Sequence, residues 1–254
     1  MRDLAGTLLS EGGHMAERTR LNEPIAKPSL DRSGKKRLVV VVIWFILSGS
    51  ILFLSAGTMD WPEAWILLGS GIFLASVMTT FVIRKNPEVI NERGRKSSKT
   101  KRWDRVLGAI MAPLVIGYMI VAGLDVRFGW SNVPLWAKLG SLIPLAVGMV
   151  VPYLAMLANP FLATTVRIQD ERGHRVATEG LYRHVRHPMY VGVISSWIAS
   201  PIFLGSRWAL IPSVLACLLL VLRTFMEDRT LHKELGGYAE YARNVRYRLV
   251  PGLW

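Results

Sequence analysis

Four runs of 19 to 20 residues without a charged side chain constrain this chain more than any other feature: Leu38–Gly57, Ala64–Ile83, Val106–Leu124 and Leu139–Ala158. Each is long enough to cross a hydrocarbon core of about 30 Å as a helix. Two shorter runs, Met189–Gly205 and Trp208–Leu222, are separated only by Ser206 and Arg207. They predict a tight helical hairpin over 189–222 that crosses with local thinning or only in part. The expected fold class is all-α, a polytopic membrane bundle of five to six transmembrane helices with no Rossmann domain. No alternating β-branched run predicts a sheet. The one close glycine pair, Gly69-Ser-Gly71, lies inside the second run, so it follows no strand as a dinucleotide fingerprint must. Small residues there predict instead that two helices approach closely.

The net charge of +13 suggests nucleic acid until the charges are placed. Threading the segments alternately puts 28 of the 31 lysines and arginines in residues 1–37, 84–105, 159–187 and 223–254, all on one side. The opposite loops keep only Arg127, Lys138 and Arg207, alongside Asp60, Glu63 and Asp125. The positive-inside rule then makes both termini cytoplasmic, with the basic loops facing membrane lipids rather than nucleic acid. The first 34 residues lack an apolar stretch beside a cleavage-like site, so residues 1–37 read as a polar cytoplasmic tail rather than a secretory signal. Residues 38–158 form the expected four-helix region, with a basic interfacial loop at 84–105 that contains a turn signal at Asn86-Pro87 and a short helix-compatible stretch. Residues 159–254 form a separate functional core. Cys217 lies within the sixth run as an inert thiol, and no Cys/His spacing suggests a metal. Trp61, Trp65, Trp130, Trp136 and Trp208 sit at segment ends, where indoles anchor in the headgroup zone.

Two stretches of that core concentrate polar chemistry beside apolar runs. In GLYRHVRHPMYVG, residues 180–192, Pro188 disfavours helix at His187 and fits the first turn of the next helix. The mouth of that helix, beside Tyr182, Arg183, Arg186, His187 and Tyr190, offers a site for an anion. The alternative is that Arg183 and Arg186 snorkel to headgroups and the tyrosines belong to an aromatic belt. In LRTFMEDRTLHKELGGYAEYARNV, Arg223, Glu227 and Leu231 recur at i+4 along one face of a helix leaving the bilayer, and Gly236-Gly237 stops it. Arg223 and Glu227 read alone as a surface ion pair. The hairpin brings both stretches to one place.

Together these stretches carry a resemblance. GLYRHVRHPMYVG followed by Arg223-x3-Glu227-Asp228-x2-Leu231-x4-Gly236-x-Tyr238-x2-Tyr241 resembles the C-terminal core of the isoprenylcysteine carboxyl methyltransferase and phospholipid N-methyltransferase superfamily, over about residues 165–250. The resemblance implies an integral membrane enzyme that binds S-adenosylmethionine in a pocket closed by C-terminal cytoplasmic helices. It implies methyl transfer to a lipophilic acceptor from the bilayer, with no metal. Carried over by position, it puts cofactor contacts at Gln169, His174, Arg175, Val176, Ala177, Tyr182, His187, Pro188, Met189, Tyr190, Glu227 and Asp228. Arg223 and Glu227 are the implied catalytic residues, Arg223 beside the acceptor, which tilts the acceptor toward a carboxylate over a phospholipid amine or a small thiol. The chain departs from the family at Asp228, where a second Glu is usual, and at Leu181, where a small residue precedes the tyrosine. The competing expectations are an NADPH-dependent membrane reductase of related architecture and a non-catalytic scaffold holding lipid headgroups.

Overall fold

The computed structural model describes residues 29–254. Most of the expected polar tail therefore lies outside the described residues. Within them are eight α-helices: α1 Arg32–Ala56, α2 Pro62–Lys85, α3 Pro87–Gly94, α4 Arg102–Phe128, α5 Leu135–Ala158, α6 Pro188–Phe203, α7 Leu210–Glu234 and α8 Tyr238–Asn244. Among the described residues there is no strand. Five of the helices, α1, α2, α4, α5 and α7, are long and apolar enough to cross a membrane. The sixth expected crossing, α6, has 16 residues. At 1.5 Å per residue it rises about 24 Å, short of the hydrocarbon core.

The hairpin turn is longer than its two polar residues suggest, covering Leu204–Ala209. Its shape is fixed by Asp125, which the charge threading treats as an outer-loop residue. Asp125 lies buried on α4, where its carboxylate accepts from Ser206 at 2.5 Å and from the Ser131 hydroxyl and backbone N–H at 2.7 Å. An intramembrane carboxylate is tolerated because three donors satisfy it. Trp61 is likewise not a belt residue: it is buried against Phe53, with ring centroids 6.5 Å apart. Trp65, Trp130, Trp136 and Trp208 are exposed as expected.

Of the pair Gly69-Ser-Gly71, Gly71 makes the expected close approach, a Cβ there standing 3.1 Å from the Phe45 ring of α1, whereas Gly69 faces open space; the tighter approaches lie elsewhere. A Cβ on Gly123 of α4 would stand 1.9 Å from Ser55 Oγ on α1, and one on Gly148 of α5 would stand 2.6 Å from the Ser196 backbone nitrogen on α6. Gly192 meets Pro152 in the same way. The prolines of α5 remove backbone bonds, and Ser195 of α6 donates to the Pro144 carbonyl at 2.7 Å. Thus α5 holds α6 in a fixed register along its length.

In the basic loop 84–105 the short helix expected after Asn86-Pro87 is α3, and one side of it is packed against the rest of the protein. Val89, Ile90, Asn91 and Glu92 of α3 are buried, and Gly94 abuts the Ser33 carbonyl. Asp31 caps α1 by accepting from Ser33 and Gly34 N–H at 2.7 and 2.8 Å, and its own N–H donates to Asn91 Oδ1 at 3.0 Å. Replacing Gly148 with Leu forces α5 and α6 apart against backbone atoms. Thermal unfolding in detergent is expected to show a Tm lower by about 5 °C or more, whereas Gly69→Leu, facing open space, leaves it within about 1 °C.

Candidate active site

Pro188 opens α6 because its fixed φ suits the first turn, and it holds His187 out of the helix at φ −128° and ψ 61°. The mouth is less free than the sequence suggests. His187 N–H donates to the Arg248 carbonyl at 3.0 Å and Arg186 N–H to the Tyr247 carbonyl at 3.0 Å, while Tyr190 N–H turns back to His187 O. The C-terminal segment thus straps the entry to α6. On the other side α7 runs past Arg223 and Glu227 to Glu234, and Gly237 turns the chain at φ 79° into α8. Between them and the segment 159–182 lies a narrow cavity, open on one side.

Tyr190 is the centre of this cavity. Its hydroxyl donates to Glu227 Oε2 and accepts from Arg223 Nη1. Arg223 and Glu227 therefore meet through Tyr190, not as the direct i,i+4 pair their spacing suggests. Arg223 is engaged on every nitrogen: Nε donates to Asp104 Oδ1 at 2.7 Å and Nη2 to the Thr164 carbonyl at 3.2 Å. Asp104, buried in the first turn of α4, also accepts from Val166 N–H at 2.8 Å. The His187 ring stacks on Tyr190, centroids 5.7 Å apart and nearly parallel.

Asp228 faces the opposite way along the same helix turn and does not line the cavity. It is buried and accepts from Tyr238 OH at 2.8 Å, pairs with Arg248 Nε at 2.9 Å and Arg186 Nη1 at 3.2 Å, and stands 3.5 Å from His187 Nε2. Its place is behind the wall, anchoring α8, the C-terminal strap and the entry to α6 to one carboxylate. Gln169 is also withdrawn. Buried, it donates from Nε2 to the Phe161 carbonyl at 2.6 Å and accepts from Arg172 at 2.5 Å. It shapes the 3₁₀ turn Asp170–Arg172 that presents His174. Pro188 sets the helix start and does not line the cavity. His174, Arg175, Val176, Ala177, Tyr182, His187, Met189, Tyr190, Arg223 and Glu227 do line it. Arg183 points outward to Glu179, whereas Arg186 is buried in the wall.

Residues not anticipated from the sequence complete the site. Asp104 sits where a basic loop enters an apolar run, and an acid at the edge of a membrane segment is itself a signal. Arg167, on the cavity wall, is held by Glu92 and Glu171. Asn159 Nδ2 donates to the Tyr182 hydroxyl at 3.3 Å, and burial pushes that phenol's pKa up. His174 stacks on Phe161 with centroids 4.8 Å apart and accepts from Gln169 N–H at Nδ1. Burial, aided by Arg172 and Arg167, lowers its pKa to about 4. The imidazole is therefore neutral at pH 7. Because the unfolded chain takes up this proton first, near pH 6.5, the folded state loses stability as pH falls from about 6.5 toward about 4. Histidine NMR is expected to show the His174 ring titrating near pH 4, while a midpoint near 6.5 contradicts the buried, cation-flanked placement.

Comparisons with known proteins can now be set beside this geometry. Residues 143–233 match the model of the isoprenylcysteine carboxyl methyltransferase (ICMT) family. That stretch runs from α5 through α7, beginning earlier than the sequence resemblance and ending before Tyr238 and Tyr241. No curated protein matches the chain. A solved structure of the eukaryotic intramembrane Ras methyltransferase ICMT, determined without a monobody, is similar with a TM-score of 0.50 and 16% identity, over 85% of this chain and 86% of that one. At that identity the likeness speaks to the fold. This is an integral membrane protein with an ICMT-like helical fold, and its residues 143–233 carry the pattern of the isoprenylcysteine carboxyl methyltransferase family.

Proposed function

We propose that the protein is an S-adenosylmethionine-dependent methyltransferase that acts on a lipophilic carboxylate reaching it from the bilayer. The observation carrying this reading is the division of charge between two networks, one behind the cavity wall and one at it, most of whose residues lie in the family-matched stretch. On the Asp228 side two guanidiniums, Arg186 and Arg248, face one carboxylate. On the Tyr190 side two carboxylates, Glu227 and Asp104, face one guanidinium, Arg223. A ligand with a carboxylate at one end and cationic nitrogen and sulfur groups beyond it complements both halves.

The residues present fit such a donor. Arg186 Nε is buried with no hydrogen-bond partner among the described residues, a donor that costs about 1–3 kcal/mol while unsatisfied. It suits the donor's carboxylate, and Glu227 suits its ammonium. Phe161, His174 and Tyr182 offer apolar and aromatic walls for the adenosine. S-adenosylmethionine would supply, when bound, an electrophilic methyl group on a sulfonium, the neutral thioether being the leaving group once oxygen bonds to the methyl carbon. The protein's part is alignment and exclusion of water. Tyr190 fixes the spacing between Arg223 and Glu227. Arg223, its nitrogens committed, acts as a positioning residue that orients Tyr190 and offsets its neighbours' charge. A carboxylate acceptor is an anion at neutral pH and needs no general base, which agrees with a site whose one cavity-lining carboxylate, Glu227, is occupied by Tyr190.

We place this site and both termini on the cytoplasmic side, supported by the concentration of Lys and Arg there. Reporter fusions at residue 95 and at the C-terminus are expected to read cytoplasmic, and an outside signal from either overturns the orientation. Purified protein titrated with S-adenosylmethionine and with NADPH is expected to bind the first, and preference for NADPH favours the reductase. Glu227→Gln is expected to weaken donor binding about tenfold, the scale of one charge-assisted contact. Arg223→Lys, unable to reach Asp104, Tyr190 and Thr164 together, is expected to cut turnover at least about tenfold with donor affinity changed less than about threefold. The reverse pattern means their roles are exchanged.

A further inference from the structure

One pair of cations, Arg37 and Arg93, has no counter-charge among the described residues. Arg93 of α3 extends toward α6, and its Nη1 lies 3.7 Å from Met189 Sδ, the sulfur of a residue that lines the cavity on its other side. Arg37, Tyr190, Tyr153 and Tyr182 are the charged and phenolic groups that act most on Arg93, and among the described residues no carboxylate pairs with it. Arg37 of α1 lies against Gly94, one residue from Arg93, and its own ionisable neighbour is Tyr153. Every nearby carboxylate is taken. Asp31 and Glu88 pair with Arg95, and Glu92 with Arg95 and Arg167. Among the described residues neither Arg37 nor Arg93 has an ion-pair partner, although both are partly buried. Burial and the neighbouring Arg37 charge pull the Arg93 pKa down to about 10, the sign of a cation lacking compensation.

We propose that Arg37 and Arg93 form a binding site for the acid group of a lipid-chain molecule, on the side of Met189 away from the cavity. An anion there removes the repulsion between two partly buried guanidiniums, and guanidiniums suit carboxylate and phosphate equally. That the anion is carried on a hydrocarbon chain follows from what adjoins it. Leu38, next in sequence to Arg37, begins an apolar groove between α1 and α2 that continues past Phe45 and Leu68 to Met59. Thr79, the side-chain partner of Tyr153, lies on its wall. This inference rests on the two arginines and the groove, needs no methyl donor, and so stands or falls apart from the methyl-transfer reading.

The test uses the full chain, stripped of lipid in an uncharged detergent. Three probes are added: a long-chain prenyl thioether with a free carboxylate, its methyl ester, and phosphatidylglycerol. The acid is expected to raise Tm and to bind at least about tenfold more tightly than the ester, roughly one charge-assisted contact. Arg93→Gln and Arg37→Gln are expected to abolish that preference, with Arg93→Lys retaining part of it. Ligand-free Arg93→Gln is expected to be at least as stable as the wild type, because it removes an uncompensated cation. Preference for the thioether acid over phosphatidylglycerol assigns the site to an acidic prenyl lipid held outside the cavity, and the opposite preference assigns it to a bilayer headgroup. If both glutamine variants respond to the anions as the wild type does, the site does not exist. Should Arg93→Gln fail to fold, Arg37→Gln decides alone.

Discussion

A single phenol hydroxyl joins the two halves of this molecule. Tyr190, in the first turn of the short helix α6, donates to Glu227 and accepts from Arg223, both on α7. Arg223 carries the connection on to Asp104 at the start of α4 and to the Thr164 carbonyl. Charges at this depth persist only if each is paired and its hydrogen-bonding capacity used. The alternation Asp104, Arg223, Tyr190, Glu227 satisfies that condition across three helices. Breaking it at any member strands a partly buried charge.

Asp228 does the same work on the other face of α7. One buried carboxylate gathers Arg186, Arg248, Tyr238 and the edge of His187, which come from the entry to α6, the C-terminal strap and α8. The two networks carry an excess of opposite sign, one guanidinium around Asp228 behind the cavity wall and one carboxylate around Arg223. That polarity is what supports the proposed reading of a zwitterionic, sulfonium-bearing ligand. The scaffold beneath is set by volume: Gly148 against Ser196 and Gly192 against Pro152 let α6 lie closely along α5, so that this short helix opens at a fixed height.

The sequence made the membrane class and the meeting of the two polar stretches legible, since uncharged runs of spanning length and a proline-led helix start depend on local composition alone. It could not show that Asp125 and Trp61 turn inward, because a polar or aromatic residue at a segment end looks the same whichever face it occupies. The spacing of Arg223 and Glu227 placed them on one helix face, yet their real partners, Asp104 and Tyr190, lie 119 and 37 residues away. Carry-over by motif identified Asp228 and Gln169 as positions of weight without telling that both stand behind the cavity wall. The loop 84–105 hid the most. Its charge suggested an interfacial segment, whereas the buried apolar side of α3 is only eight residues long and too short for periodicity to reveal.

The central claim is that the inner ends of α6 and α7 wall one polarised cavity for a methyl donor. A structure of the protein bound to S-adenosylhomocysteine, by crystallography or electron cryo-microscopy, addresses it most directly. The account predicts the ligand's amino-acid end lying between Arg186 and Glu227, with Tyr182 and His174 against the nucleoside. Density for the ligand elsewhere, or Tyr190 out of reach of both Glu227 and Arg223, would contradict it.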